Sequence, residues 1–255
     1  MTIPGRRELL EVAVEAAGAA GTVLLERFEE AGLAVATKST ATDPVSEADL
    51  AAERAIRDVL AGRRPGDAIL GEEGGDALGT TGLRWVVDPL DGTVNFLFGI
   101  PQWCVSVACE GHAGAILDPI RQELFTVVTG EGAWLGPEAL QASGRRDLAT
   151  ALVATGFAYD AGVRAGQAQT LARVLPRVRD VRRLGSAALD LAWTAAGRYD
   201  AYYERGVQPW DVAAGRMLCA AAGLEVRDLP ARDGLPAGVL VAPPALAGEL
   251  LELVV

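Results

Sequence analysis

The stretch that decides the fold of this 255-residue chain is Trp85-Val86-Val87-Asp88-Pro89-Leu90-Asp91-Gly92-Thr93-Val94-Asn95-Phe96. Residues 83–87 predict a buried strand that ends at an acid. Two carboxylates then flank a Pro-Leu pair, and a Gly-Thr pair follows at once. Carboxylates at a strand end suit Mg²⁺, which takes one or two of them per ion and shares the phosphate oxygens of a substrate. The alternative is a solvated turn, because Asp-Pro and Asp-Gly are ordinary turn formers.

The composition limits the classes of function. The formal net charge at pH 7 is −11, which argues against a nucleic-acid partner, since nucleic-acid binding needs a basic patch. An acidic site repels phosphate unless bound divalent cations invert the local electrostatics. The single histidine, His112, falls in a predicted hairpin turn, and the sequence contains neither a nucleophile elbow nor a P-loop lysine motif. Carboxylates and a metal are therefore the expected chemical groups.

The apolar segments indicate a protein without a membrane partner. Residues 9–25 are apolar but include Glu11 and Glu15, which predicts an amphipathic helix and not a signal peptide or membrane span. Cys104, Cys109 and Cys219 form no Cys-x-x-Cys pair, and each lies in an apolar run. Buried free thiols and a cytoplasmic location are expected.

Hydrophobic periodicity predicts an α/β protein with two parts. Helices are predicted at residues 6–30, 46–60, 165–175, 186–196, 209–222 and 243–253. Strands are predicted at residues 68–70, 84–87, 104–109, 114–117, 124–128, 133–135, 152–154, 201–203 and 239–241. The first helix is expected to end at Gly32, and a capping box from Ser46 to Asp49 is expected to open the second. The pattern changes from an antiparallel sheet to alternating helices and strands near residue 145. Residues 1–145 and 146–255 are therefore predicted as two units that share one interface in a layered sandwich.

Several further acids and one lysine are candidates, each with a structural alternative. Glu72 follows a strand and is either a metal ligand or a charged loop cap. Asp49 fits the N3 position of the capping box, and Asp211 fits the first turn of a helix, where an acid is stabilising by itself. Lys38 is the only lysine beside 22 arginines, which indicates either a need for a compact ammonium or chance. Its small, polar segment, residues 37–44, predicts a mobile loop that closes over the metals.

Taken together, the motifs resemble the inositol monophosphatase family of Mg²⁺-dependent, lithium-sensitive phosphatases over nearly the whole chain. The matching segments are Gly71-Glu72-Glu73, residues 85–96, Leu184-Gly185-Ser186-Ala187-Ala188 and Trp210-Asp211-Val212-Ala213-Ala214-Gly215. The resemblance implies a five-layer αβαβα sandwich, usually a homodimer. Val94 replaces a frequent threonine, and Gly74-Gly75 loosens the loop after Glu72, but neither change touches a ligand position.

The resemblance also implies individual roles. The implied metal ligands are Glu72, Asp88, the Leu90 carbonyl, Asp91 and Asp211. One Mg²⁺ is held by Glu72, Asp88 and Leu90, a second by Asp88, Asp91 and Asp211, and a third, weaker ion lies near Glu72. The implied catalytic residues are Glu72 and Thr93, which orient the attacking water, Asp49, which supports Thr93, and Lys38, which shares the mobile loop with Asp43. The implied substrate-binding residues are Asp91, Gly92, Thr93, Ala187, Glu204 and Asp211.

The implied reaction is the hydrolysis of a small phosphomonoester by metal-activated water, with inositol 1-phosphate as the substrate. Histidinol phosphate, fructose 1,6-bisphosphate and 3′-phosphoadenosine 5′-phosphate are alternative substrates within the family. The alternative from another class is a regulatory binding protein that keeps the fold and has lost catalysis. The complete set of acids argues against that alternative.

Overall fold

The structure, a computed structural model, describes residues 5–34 and 43–255. Within these ranges the chain forms seven α-helices, two short 3-10 helices (Leu148–Thr150 and Leu175–Arg177) and thirteen strands. The helices are α1 (Arg6–Ala34), α2 (Asp43–Arg63), α3 (Thr93–Leu97), α4 (Ala161–Val174), α5 (Ala187–Ala195), α6 (Pro209–Ala221) and α7 (Pro244–Val254). The strands are β1 (Ala68–Gly71), β2 (Gly75–Ala77), β3 (Arg84–Asp91), β4 (Cys104–Cys109), β5 (Ala113–Asp118), β6 (Glu123–Val128), β7 (Gly132–Leu135), β8 (Glu138–Ala139), β9 (Leu152–Thr155), β10 (Asp180–Arg182), β11 (Ala201–Arg205), β12 (Glu225–Leu229) and β13 (Gly238–Ala242).

The strands form two mixed sheets. The first has the order β2-β1-β3-β4-β5-β6-β7-β8, and the second has the order β10-β9-β11-β13-β12. From β3 to β8 all neighbours are antiparallel, as the closely spaced strands predict. The pair β1 and β3, by contrast, is parallel, and this exception shapes the site described below.

The layers follow one another as α1 and α2, the first sheet, α5 and α6, the second sheet, and α4 and α7. Side chains alternate between the two faces of a strand, and β4 shows this directly. Val105 and Val107 pack in the core beneath α1 and α2, whereas Cys104 and Ala108 pack in the core around α5 and α6. The predicted layered α/β sandwich is confirmed, and its middle helical layer contacts both sheets.

Two predicted helix ends are wrong. Helix α1 runs through Gly32 to Ala34, because one glycine costs a helix only about 1 kcal/mol and packing against α2 can offset that cost. Helix α2 begins at Asp43, with Pro44 in its first turn, where proline is well tolerated. Ser46 is therefore not an N-cap, and Asp49 lies in the second turn, where a capping-box role is excluded.

Several short elements escaped prediction, among them β2, β10, β12 and α3. The three cysteines are free and buried, and His112 lies in the turn between β4 and β5, both as predicted. None of the helices in the described ranges is long and apolar enough to cross a membrane. The division into units 1–145 and 146–255 stays a prediction.

Candidate active site

Parallel pairing brings two acids together. The register of β1 and β3 pairs Gly71 with Val87. The next residue on each strand is an acid, so Glu72, directly after β1, lies beside Asp88 of β3. The antiparallel pairing that dominates the rest of this sheet would have placed Glu72 at the opposite end of β3.

A bulge in β3 turns a second acid toward the same side. Asp88 and Asp91 are three residues apart, and on a regular strand they would point to opposite faces. The pairing of β3 with β4 shifts register between these two residues, and Pro89 lies inside the shift, where a strand tolerates proline. Both carboxylates consequently line one pocket.

The turn after β3 depends on glycine. Gly92 has φ of 103°, in the left-handed region, and a Cβ at this position would lie 2.8 Å from the Gln102 carbonyl oxygen. The chain thereby turns at once into α3, which begins at Thr93. The Thr93 hydroxyl donates a hydrogen bond to the Leu90 carbonyl oxygen at 3.0 Å.

Asp91 is fixed by the start of α5. Its Oδ2 atom accepts hydrogen bonds from the Ser186 hydroxyl and from the Ala188 backbone N–H, both at 2.6 Å. Ser186 is also the N-cap of α5, and a helix N-terminus stabilises a carboxylate. This contact joins the first half of the chain to the second at the site.

The second half of the chain contributes Asp211, Glu204 and Ala187. Asp211 is the N3 residue of α6 and accepts a hydrogen bond from the Gln208 backbone N–H at 2.7 Å. The structural explanation for this acid is therefore correct, but Asp211 also lines the pocket. Glu204, on β11, accepts a hydrogen bond from the Tyr202 hydroxyl at 2.9 Å.

The pocket has a volume of about 340 Å³. The predicted site residues that line it are Glu72, Asp88, Leu90, Asp91, Gly92, Thr93, Ala187, Glu204 and Asp211. Acids from three distant segments, at residues 72, 88–91 and 211, therefore face one cavity. Sequence reasoning missed the lining residues Phe157, Tyr159 and Arg183, which lie in loops without a recognisable pattern.

Desolvation and the charges of neighbouring carboxylates raise the pKa values of the acids in the pocket. Burial raises the pKa of Asp88 well above its usual range, and the charge of Asp91 adds to this. Glu72 keeps an exposed surface, but partial desolvation of its carboxylate, together with the charges of Glu73 and Asp91, raises its pKa to about 7. Burial and the charge of Asp91 raise the pKa of Asp211 to about 8.

The donor set fits a hard divalent cation. Across residues 5–34 and 43–255, no salt bridge joins Glu72, Asp88, Asp91 or Asp211 to a basic side chain, so their charges have no internal compensation. In this part of the chain, no group of three or more His, Cys, Asp or Glu side chains is already drawn together around a metal-sized site. An open set of carboxylates and a backbone carbonyl suits Mg²⁺, which retains several waters.

One implied catalytic residue, Asp49, does not line the pocket, and another is not described. Lys38 lies outside the described residues, and of Asp43 only the backbone is described, at the start of α2. Asp49 is 3% exposed, and its Oδ1 atom has no hydrogen-bond partner among the described residues. Burial raises the pKa of Asp49 to about 8, with the charges of Glu72 and Glu73 adding to it. The described hydrogen bonds join Thr93 to Leu90 and not to Asp49.

Two positioning residues, Ser186 and Asn95, lie within the matched motifs but were given no role from the sequence. Ser186 is a helix N-cap within a matched motif, and its hydroxyl holds Asp91. The Asn95 amide donates hydrogen bonds at 2.7 Å to the carbonyl oxygens of Gln102 and Leu184. It thereby ties α3 to the loop before α5, and an amide with two donors is well suited to join two backbone segments.

Known proteins of one family are similar to this chain over most of its length. The sequence model of the inositol monophosphatase family matches residues 6–255. The protein named inositol-1-monophosphatase SuhB from Mycobacterium tuberculosis is 48% identical over 232 residues, which cover 86% of this chain and 80% of that protein. The protein named Nus factor SuhB from Pseudomonas aeruginosa is 41% identical over 250 residues, or 92% of this chain and 90% of that protein. The solved structure of Mycobacterium tuberculosis SuhB superimposes with a TM-score of 0.85 at 42% identity, covering 98% of this chain and 97% of that one.

Proposed function

Because the chain belongs to the inositol monophosphatase family, we propose that it is a Mg²⁺-dependent phosphatase that converts inositol 1-phosphate to myo-inositol and phosphate. One observation carries the proposal: acids from three distant segments line a single pocket and have no basic partner among the described residues. A fold alone does not define a function, whereas such a set of oxygen ligands suits metal-assisted phosphoryl transfer.

The proposed ligands divide between two sites. Glu72, Asp88 and the Leu90 carbonyl would hold one Mg²⁺, and Asp88, Asp91 and Asp211 a second; a third ion near Glu72 is proposed from the resemblance. Mg²⁺ in such sites activates water and neutralises the negative charge that develops during phosphoryl transfer.

The protein groups then position the reactants. We propose that Glu72 and Thr93 orient the attacking water. The Glu72 carboxylate can accept a proton from this water, and the Thr93 hydroxyl is held beside the Leu90 carbonyl. The backbone N–H groups of Gly92 and Thr93 contact the phosphate. Glu204 and Ala187 contact the polyol. The Tyr202 hydroxyl donates a hydrogen bond to the Glu204 carboxylate, and this carboxylate can accept a further hydrogen bond.

A panel of phosphomonoesters tests the proposal. The chain is assayed with Mg²⁺ against inositol 1-phosphate, histidinol phosphate, fructose 1,6-bisphosphate and 3′-phosphoadenosine 5′-phosphate, and kcat/KM is compared. The highest value for inositol 1-phosphate supports the proposed substrate. A higher value for another substrate keeps the phosphatase and rejects the substrate, and the absence of hydrolysis across the panel rejects the function.

A binding protein without catalysis is the second candidate, and the relative named Nus factor SuhB is the observation that favours it. The retained acids at positions 72, 88, 91 and 211 argue against it, because a binding module has no need for all of them. The two candidates predict opposite results in the same phosphatase assay.

We further propose a cytoplasmic homodimer. The free, buried cysteines are typical of a reducing compartment. Exposed apolar side chains at Val94, Leu97, Phe98 and Ile100 lie on and just after α3, and such a patch is suited to a second subunit. Light scattering on the purified protein measures the mass and tests the dimer.

A further inference from the structure

Helix α2 presents a second buried acid one turn after Asp49. Glu53 is four residues further along, and residues at this spacing share a helix face. Its side chain is 2% exposed. It does not line the pocket and belongs to none of the ligand positions.

The Glu53 carboxylate binds the turn that follows β1. Its Oε2 atom accepts a hydrogen bond from the Glu73 backbone N–H at 2.8 Å, and its Oε1 atom accepts one from the Gly74 N–H at 2.9 Å. The Arg57 guanidinium donates to Oε1 at 2.6 Å and also to the Gly75 carbonyl oxygen at 2.9 Å. The carboxylate and its arginine therefore hold three successive residues, the last two of the turn and the first of β2.

Two glycines make room for this contact. A Cβ atom at Gly71 or at Gly74 would lie 2.5 Å from the Glu53 Oε1 atom, and one at Gly74 would also lie 2.7 Å from Arg57. Any larger residue at either position would displace the carboxylate. The glycines on both sides of Glu72 and Glu73 therefore have a common explanation in the approach of Glu53.

Glu72 lies between two fixed points as a result. Before it, Gly71 is the last residue of β1 and is paired with β3. After it, the N–H groups of residues 73 and 74 are held by Glu53. Glu72 itself is exposed, so its backbone is set by these neighbours and not by burial of its own side chain.

We propose that Glu53 is a positioning residue that holds the backbone around Glu72 and so sets the affinity of the site for Mg²⁺. This inference rests on the proposed function and deepens it. Glu53 touches neither substrate nor metal; it acts through the hydrogen bonds to residues 73 and 74. Partners of ligand-bearing groups typically change metal affinity by about 10–100-fold when they are removed.

Calorimetric titration of the full chain with Mg²⁺ tests the proposal. In Glu53→Gln, the carboxamide presents an N–H₂ group to one of the two backbone N–H groups, so at least one hydrogen bond is lost. We expect Mg²⁺ binding to weaken by about 10–100-fold and amide hydrogen exchange at residues 73 and 74 to accelerate. Asp58→Asn, which removes one negative charge from the exposed face of α2, is the control and should leave both quantities unchanged.

A second variant approaches the contact from the turn. Gly74→Ala drives a methyl group against Glu53 and should weaken Mg²⁺ binding in the same direction. Gly62→Ala, whose Cβ would meet nothing within 4 Å, is its control. This pair decides the matter if Glu53→Gln does not fold.

The outcomes separate the inference from the proposed function. If wild type binds Mg²⁺ and the folded Glu53→Gln or Gly74→Ala variant binds it within about twofold of wild type, the positioning role is overturned and the phosphatase proposal stands. If wild type binds no Mg²⁺, the proposed function fails and the inference fails with it. Weakened binding together with faster exchange at residues 73 and 74 supports the inference, whether or not a substrate in the panel is hydrolysed.

Discussion

Asp211 has two possible tasks, and one substitution separates them. As a cap, it accepts the Gln208 backbone N–H at 2.7 Å. As a ligand, it would supply one negative charge to the second metal site. Asp211→Asn keeps the size and an acceptor oxygen for the cap, but it removes the charge.

The structure sets the expected magnitudes. The hydrogen bond to Gln208 can persist, and burial beside Asp91 already disfavours the charge of Asp211, so the loss of stability cannot exceed the charge–dipole part of the cap, about 1 kcal/mol. For a chain of this size that corresponds to a fall in Tm of at most about 2–4 °C. Loss of a ligand charge should instead lower kcat/KM by about 100-fold or more, equivalent to at least about 2.7 kcal/mol of transition-state stabilisation.

The assay combines thermal unfolding with phosphate release from inositol 1-phosphate in excess Mg²⁺. Asp147→Asn is the matched control, because Asp147 caps a 3-10 helix outside the pocket by accepting the Ala149 N–H at 3.0 Å. It should lower Tm to a similar extent and leave activity unchanged. An Asp211→Asn enzyme with nearly full activity would refute the ligand assignment and leave only the cap.

Three other predictions concern lithium, Lys38 and pH. Li⁺ should inhibit turnover in an uncompetitive or noncompetitive manner by occupying the second metal site; insensitivity in steady-state assays at high Li⁺ would favour the less sensitive branches of the family. Lys38→Gln should lower kcat or raise the Mg²⁺ requirement at unchanged Tm, and Lys38→Arg should rescue only in part; a Lys38→Gln enzyme identical to wild type in kcat, KM and Mg²⁺ response rejects the role. The pKa values of Glu72 and Asp211 are raised to about 7 and about 8. Their contribution to the stability of the metal-free protein is therefore fully present below about pH 4 and is lost as pH rises through 7 to 8. Bound Mg²⁺ compensates the carboxylate charges and so relieves this loss. In thermal unfolding, Mg²⁺ should therefore raise Tm more at pH 8 than at pH 5. Equal increases in Tm at the two pH values would contradict the assignment of Glu72 and Asp211 as metal ligands.

The long elements and the metal-ligand candidates could be predicted from the sequence because their signals are local. Strand β4 has the predicted bounds, and helix α6 differs by one residue at its C-terminal end. The acids near residues 88–91 carry their signal in adjacent residues, so a motif finds them without knowledge of the fold.

The elements and contacts that escaped prediction depend on tertiary pairing. Strands β2 and β10 have three residues each, and the neighbouring strands stabilise them more than their own sequence does. The parallel register that sets Glu72 beside Asp88 also cannot be read from the sequence, because no local pattern distinguishes it from antiparallel pairing.

The role of Glu53 was hidden for a different reason. In the sequence, it is one acid of an amphipathic helix, and its spacing from Asp49 is ordinary for such a helix. Its role becomes apparent only from the hydrogen bonds that its carboxylate accepts from the backbone N–H groups of residues 73 and 74. Positioning residues of this kind carry no motif, because they act on backbone groups that every residue possesses.

The central claim is that carboxylate-held Mg²⁺ performs the chemistry, and a metal titration of activity tests it most directly. The chain is freed of metal with EDTA, the chelator is removed, and hydrolysis of inositol 1-phosphate is followed as Mg²⁺ is added back. The account predicts no turnover in the metal-free protein and full recovery with Mg²⁺. Undiminished turnover after exhaustive chelation would contradict it.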